Sequence, residues 1–153
     1  MAAITAALPD LHRYPDGDAF YLKRRLAEKL GVDRSRLILG NGSNELIEMI
    51  VRTFMRVGES IVAGEHAFAI YHLCVQAAGG RTITVPHQGF KFDLEAMARA
   101  IAPDTRIVFL DNPNNPTGTM YTRREWEAFL RAVPASVVIV VDEAYFEFVD
   151  DPD

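Results

Sequence analysis

The segment Val137 to Tyr145, VVIVVDEAY, constrains this chain more than any other. An unbroken β-branched run ends at Asp142. Such a run predicts a central strand of a parallel sheet, buried on both faces. In open α/β sheets, ligands bind outside the carboxyl ends of the strands. Asp142, Glu143 and Tyr145 stand at that end, so an acid and a phenol occupy the place where a ligand is expected.

The rest of the chain alternates between strand and helix patterns. Met1 to Leu8 reads as the tail of a helix stopped before Pro9, and Leu11 to Gly17 as a loop with Tyr14 held extended by Pro15. Asp18 is the expected cap of a helix whose Ala19, Leu22, Leu26 and Leu30 share a face, with Gly31 as its stop. Short strands are expected at Leu37–Leu39 and Glu59–Ala63, and an edge strand at Arg81–Val85. Helices are expected after Glu45, with Leu46, Ile47, Ile50, Val51 and Phe54 on one face, over Ala67–Ala78, and over Asp93–Ala102 with Leu94, Met97, Ala98 and Ile101 inward. Arg106–Leu110 reads as a strand. Thr122 and Glu125 form a capping-box pattern before a helix bearing Trp126, Phe129 and Leu130. This order predicts an α/β fold, a mostly parallel sheet with helices on both faces.

Composition narrows the function. With 153 residues the chain is one domain or part of a larger one. A net charge of −5 argues against non-specific nucleic-acid binding. The single cysteine, Cys74, rules out an internal disulfide and a cysteine-based zinc site, which fits a cytoplasmic location. No apolar stretch is long enough for a bilayer, and the first residues lack the pattern of a signal peptide. His12, His66, His72 and His87 do not fall at ligand spacing and read as surface or loop residues, so no metal is expected.

Three segments could carry chemistry. GNGSNE, Gly40 to Glu45, joins a strand pattern to a helix pattern. Glycine permits close backbone approach, and unpaired N–H groups of a first helical turn face an anion. Ser43 and Asn44 could add side-chain bonds. The segment reads as a phosphate cup or as a tight turn with a Ser or Asn cap. DNPNNPTG, Asp111 to Gly118, is stiffened by two prolines and presents Asn115 and its neighbours as amide donors, or is a turn without a ligand. Asp142 could bond a protonated ring nitrogen, or serve as a cap. Phe68 and Tyr71 could each stack on a flat ring or be core aromatics. An apolar strand ending in Asp-Glu also fits the magnesium strand of a nucleoside triphosphatase. That class needs a Gly-Lys-Ser/Thr phosphate loop, which is missing here.

In order and spacing, RYPDG, GNGSNE, HAFAIY, NPNNPTG and VVDEAYFEF resemble the pyridoxal-phosphate-dependent aminotransferases of fold type I, and within them the histidinol-phosphate aminotransferase group. The resemblance covers about Leu11 to Phe148. It implies pyridoxal 5′-phosphate as cofactor, with Asp142 on the pyridine nitrogen. Asn115 and Tyr145 would bond the ring's 3-oxygen, Ser43 and Asn44 the phosphate, and Phe68 the ring face, where many relatives carry tyrosine. Tyr14 would reach the cofactor phosphate of a neighbouring subunit, implying a homodimer. The implied reaction transfers an amino group from histidinol phosphate, an amino-alcohol phosphate, to 2-oxoglutarate in histidine biosynthesis. An aromatic aminotransferase and a threonine-phosphate decarboxylase are the alternatives within the same enzyme class.

One departure sets a further expectation. The family's lysine that bonds the cofactor covalently lies downstream of the DEAY segment, as does the arginine for the substrate carboxylate. The lysines here are Lys23, Lys29 and Lys91, none in a matching context. Residues 1–153 are therefore expected to be a partial large, cofactor-binding domain, with the N-terminal arm, the C-terminal half and the small domain absent. Alone it is expected to be inactive, or a non-catalytic cofactor-binding or dimerisation fragment.

Overall fold

A computed structural model describes residues 1–150, in two compact units, Met1–Gly40 and Asn41–Asp153, of which the last three residues are not described. In the first unit, α1 spans Ala2–Ala7 and runs into a 3-10 turn at Leu8–Asp10 that contains Pro9. The helix α2 spans Phe20–Leu30 and ends at Gly31, whose φ of 65° is the left-handed conformation expected of a glycine stop.

Three expectations fail in this unit. Asp16, not Asp18, serves the start of α2: its carboxylate accepts from the Phe20 and Asp18 N–H groups at 2.9 and 3.1 Å, while Asp18 takes the Lys23 ammonium. Ala19 adopts a left-handed conformation, which turns the chain so that the earlier aspartate reaches the helix. Leu22 and Leu30 are exposed rather than inward. Leu37–Leu39 also forms no strand. Asp33 caps a 3-10 turn at Arg34–Arg36, and the chain leaves it extended but without a ladder partner.

The second unit is built on a four-stranded sheet: β1 (Ser60–Gly64), β2 (Arg81–Val85), β3 (Thr105–Asp111) and β4 (Val138–Asp142). All pairings are parallel, in the order β2-β1-β3-β4. The connections are α4 (Ala69–Ala77), α5 (Leu94–Arg99) and α6 (Arg123–Ala132), and α3 (Gly42–Phe54) precedes β1. Successive strand residues point to opposite faces. Ile61, Ala63, Ile107 and Phe109 therefore join Ile47 and Val51 of α3 and Tyr71 and Val75 of α4 in one core. Val62, Val108 and Leu110 join Leu94 and Met97 of α5 and Phe129 of α6 in the other. Each fully buried Val, Leu, Ile, Phe or Met side chain among them contributes about 1.5–3 kcal/mol.

Among the described residues β4 pairs with β3, and all of its residues are half-buried, whereas β1 is buried throughout. Leu130 of α6 is exposed, while its neighbour Phe129 is buried. The capping box at Thr122 and Glu125 is present, and Lys91 binds both oxygens of Glu125, whose carboxyl is drawn down to about 2 chiefly by that ammonium. Gly64, closing β1, has no space for a side chain: a Cβ there would lie 2.3 Å from His87 Nε2 and 2.4 Å from Phe92 Cε1.

Candidate active site

The parallel register sets the site. Asp111 and Asp142 are aligned partners at the carboxyl ends of β3 and β4. Around them a concavity of about 120 Å³ is lined by Ser43, Phe68, Asp111, Pro113, Asn115, Asp142, Ala144 and Tyr145. Five sequence-predicted residues, Ser43, Phe68, Asn115, Asp142 and Tyr145, are thus brought together from four separate segments. A larger hollow of about 920 Å³ runs along α5 and α6 but holds none of them.

Each residue has a local reason for its position. Ser43 lies in the first turn of α3, which enters through Gly42 at φ 73° and carries no side-chain cap. The expected Ser or Asn cap is therefore not made, and the first N–H groups of the helix are left for an anion. The Glu45 carboxylate instead reaches back to the Asn41 N–H at 2.6 Å. Phe68 immediately precedes α4, with its ring edge-on to Tyr71.

The DNPNNPTG loop uses its asparagines unequally. Both its Asn-Pro bonds are cis. Asn114 is buried; its amide donates to the His66 carbonyl and Asp111, and its oxygen accepts from the Thr117 N–H. Asn112 accepts from the Tyr121 N–H at 3.2 Å. Of the three amides, only that of Asn115 lines the concavity. Its backbone N–H donates to Asp111 Oδ2 at 2.6 Å.

Asp142 is held from two sides. The Tyr71 hydroxyl donates to Oδ2 at 3.0 Å and the Ala144 N–H to Oδ1 at 3.1 Å. Tyr71 itself is fully buried, with its ring stacked on Phe109 at 4.5 Å. Burial, with the carboxylates of Asp111 and Asp142 behind it, drives the phenol well above its usual range, so it donates and does not ionise. Tyr71 is a positioning residue and not a stacking platform. Of the two aromatics weighed for that role, Phe68 alone faces the concavity.

Sequence reasoning overlooked Asp111. It is 3% exposed, and burial pushes its carboxyl up to about 6. A signal existed, because IVFLD repeats the apolar-run-to-aspartate pattern of VVIVVD. His12, His66 and His87 lie in turns or loops, as expected, whereas His72 falls within α4. His66 and His87 meet edge to face at 5.2 Å, and the buried His87 Nε2 finds no partner. Among the described residues, however, no three His, Cys, Asp or Glu side chains are grouped to hold a metal ion. Asn44 lines a separate hollow with Asn41, Glu48 and Arg52, and Tyr14, in the first unit, is 97% exposed.

A doubly covered parallel sheet with a helix N-terminus, an aromatic ring and a carboxylate converging at its strand ends defines an α/β protein with a site suited to a flat, anion-bearing ring. The chain belongs to the aminotransferase class I and II family, whose model matches residues 1–153. It is 48% identical over 147 residues to histidinol-phosphate aminotransferase 2 of Hydrogenovibrio crunogenus, covering 96% of this chain and 39% of that protein. It is 50% identical over 149 residues to histidinol-phosphate aminotransferase 1 of Cupriavidus pinatubonensis, covering 97% of this chain and 40% of that protein. Among solved structures, histidinol-phosphate aminotransferase from Sinorhizobium meliloti in complex with pyridoxal-5′-phosphate superimposes with a TM-score of 0.90 at 33% identity, over 95% of this chain and 40% of that one. The chain thus spans about two-fifths of the length of the curated relatives it matches.

Proposed function

We propose that this chain is part of the large domain of a pyridoxal-phosphate-dependent transaminase that acts on histidinol phosphate with 2-oxoglutarate as acceptor. The observation that carries the reading is the convergence of Ser43, Phe68, Asn115, Asp142 and Tyr145 on one concavity at the strand ends. The donor set fits the cofactor. Asp142, oriented by Tyr71, offers a carboxylate for a protonated ring nitrogen. The Asn115 amide and Tyr145 hydroxyl are donors for the ring oxygen, and the uncapped start of α3, with the N–H groups of Ser43 and Asn44, receives the phosphate. Phe68 covers a ring face.

When bound, the cofactor supplies an electron sink for the pair left as the substrate Cα loses its proton. The chain's own part is to keep the proton on the ring nitrogen through Asp142 and to fix the ring in one plane. A covalent lysine comes from outside residues 1–153: Lys23 is engaged by Asp18, Lys91 by Glu125, and Lys29 stands in the last turn of α2. The extreme exposure of Tyr14 supports a role toward a neighbouring subunit in a homodimer. Among the described residues no helix is long and apolar enough to cross a membrane, which suits a cytoplasmic enzyme.

The test is equilibrium binding of pyridoxamine 5′-phosphate, which needs no lysine, to the full chain. Saturable binding, weakened at least about tenfold by Asp142→Ala through loss of a charge-assisted bond, is expected. Equal affinity in the two proteins refutes the role of Asp142. The intact mass of the protein from its native source then decides whether a lysine-bearing part accompanies this chain, and its transamination activity with histidinol phosphate decides the substrate.

A further inference from the structure

Asp111 is not used by the reading above, yet it is the most buried carboxylate of the site. Its two oxygens have different surroundings. Oδ2 accepts from the Asn115 N–H at 2.6 Å and the Asn114 amide at 3.1 Å. Oδ1 is buried with no partner. The titratable groups facing it are Asp142 from β4, Tyr71 from α4 and Tyr121 from the segment before α6, and none is cationic. An ionised carboxylate beside a second one, with an unpaired buried oxygen, is costly. A proton on Oδ1 removes that cost and leaves Oδ2 free to hold Asn115.

We propose that Asp111 is a positioning residue that fixes Asn115 through Oδ2 and couples the arrival of a cationic ring at Asp142 to the loss of its own proton. The inference rests on the functional reading above, and adds to it a proton linkage. Asp111 Oδ1 is buried without a partner at the strand end aligned with Asp142, so ionising Asp111 is costly until a positive charge arrives there. A pyridinium nitrogen on Asp142 brings that charge, and the proton on Asp111 Oδ1 then goes to solvent. The upward displacement of Asp111 to about 6 by burial agrees with a carboxyl that is part-protonated in the free chain.

Two measurements on the full chain test this. Carbon NMR of the aspartate carboxyls, without ligand, should show one group with a midpoint near 6 that is missing in Asp111→Asn. A midpoint in the ordinary carboxylate range overturns the proposal. Calorimetry with pyridoxamine 5′-phosphate at pH 6, in buffers of differing ionisation enthalpy, counts protons released on binding. Asp111→Asn keeps an acceptor for the Asn115 N–H, and the ligand's own titrating groups contribute equally in both proteins. The wild-type chain should release about half a proton more per ligand than the variant. Binding with equal proton counts sinks the coupling alone. No saturable binding by the wild-type chain sinks the functional reading and the coupling together.

Discussion

Replacing Tyr71 by Phe removes one oxygen and leaves the aromatic stack on Phe109 in place. Among the described residues the lost group is the only side-chain donor to Asp142 Oδ2, at 3.0 Å. A hydrogen bond to a charged acceptor contributes roughly 1.5–3 kcal/mol when buried. Asp142 is half-buried, so water replaces part of it, and a net loss of about 1–2 kcal/mol follows. For a chain of this size a urea slope of about 2 kcal/mol/M converts that loss into a midpoint lowered by roughly 0.5–1 M. The assay is urea unfolding at neutral pH, read by Trp126 fluorescence and by circular dichroism, with an unchanged slope expected. A double-mutant cycle with Asp142→Asn should return a coupling of about 1 kcal/mol. A midpoint shift under about 0.2 M, or a more stable variant, would show that the phenol packs against the sheet without holding Asp142.

Gly64→Ala should destabilise the chain by about 1–3 kcal/mol, because the new methyl collides with the buried Phe92 ring and His87; a thermal midpoint within about 2 °C of the wild type would contradict the close packing. Asp111 sits at about 6 when folded, above its ordinary 3.8. Its protonation therefore stabilises the fold fully below about pH 3.8, and that stabilisation is lost as pH rises through about 6. Relative to Asp111→Asn, the wild-type chain should lose about 1–3 kcal/mol between pH 4 and 7, measured from urea midpoints; a constant difference across that range would contradict the buried, part-protonated carboxyl.

Asn114 and Asn115 are adjacent and chemically identical, yet one is consumed inside the loop and the other faces the concavity. The difference arises because the Asn114 amide reaches both Asp111, three residues away, and the His66 carbonyl, 48 residues away in sequence, and the second partner is placed only by the tertiary fold.

Sequence alone determined the alternation of strand and helix, the parallel sheet, the Thr122 capping box and the glycine stop at Gly31, because each depends on local spacing and local backbone freedom. Its motifs also named Ser43, Phe68, Asn115, Asp142 and Tyr145, which line one concavity, along with Asn44 and Tyr14, which do not. Tertiary structure decided the rest. It set β4 beside β3 in parallel register, since strand pairing depends on which neighbours are available. It turned Tyr71 from a candidate ring platform into the clamp on Asp142. It set Asp111 beside Asp142 through the register of β3 against β4, a juxtaposition across remote segments that local patterns do not encode.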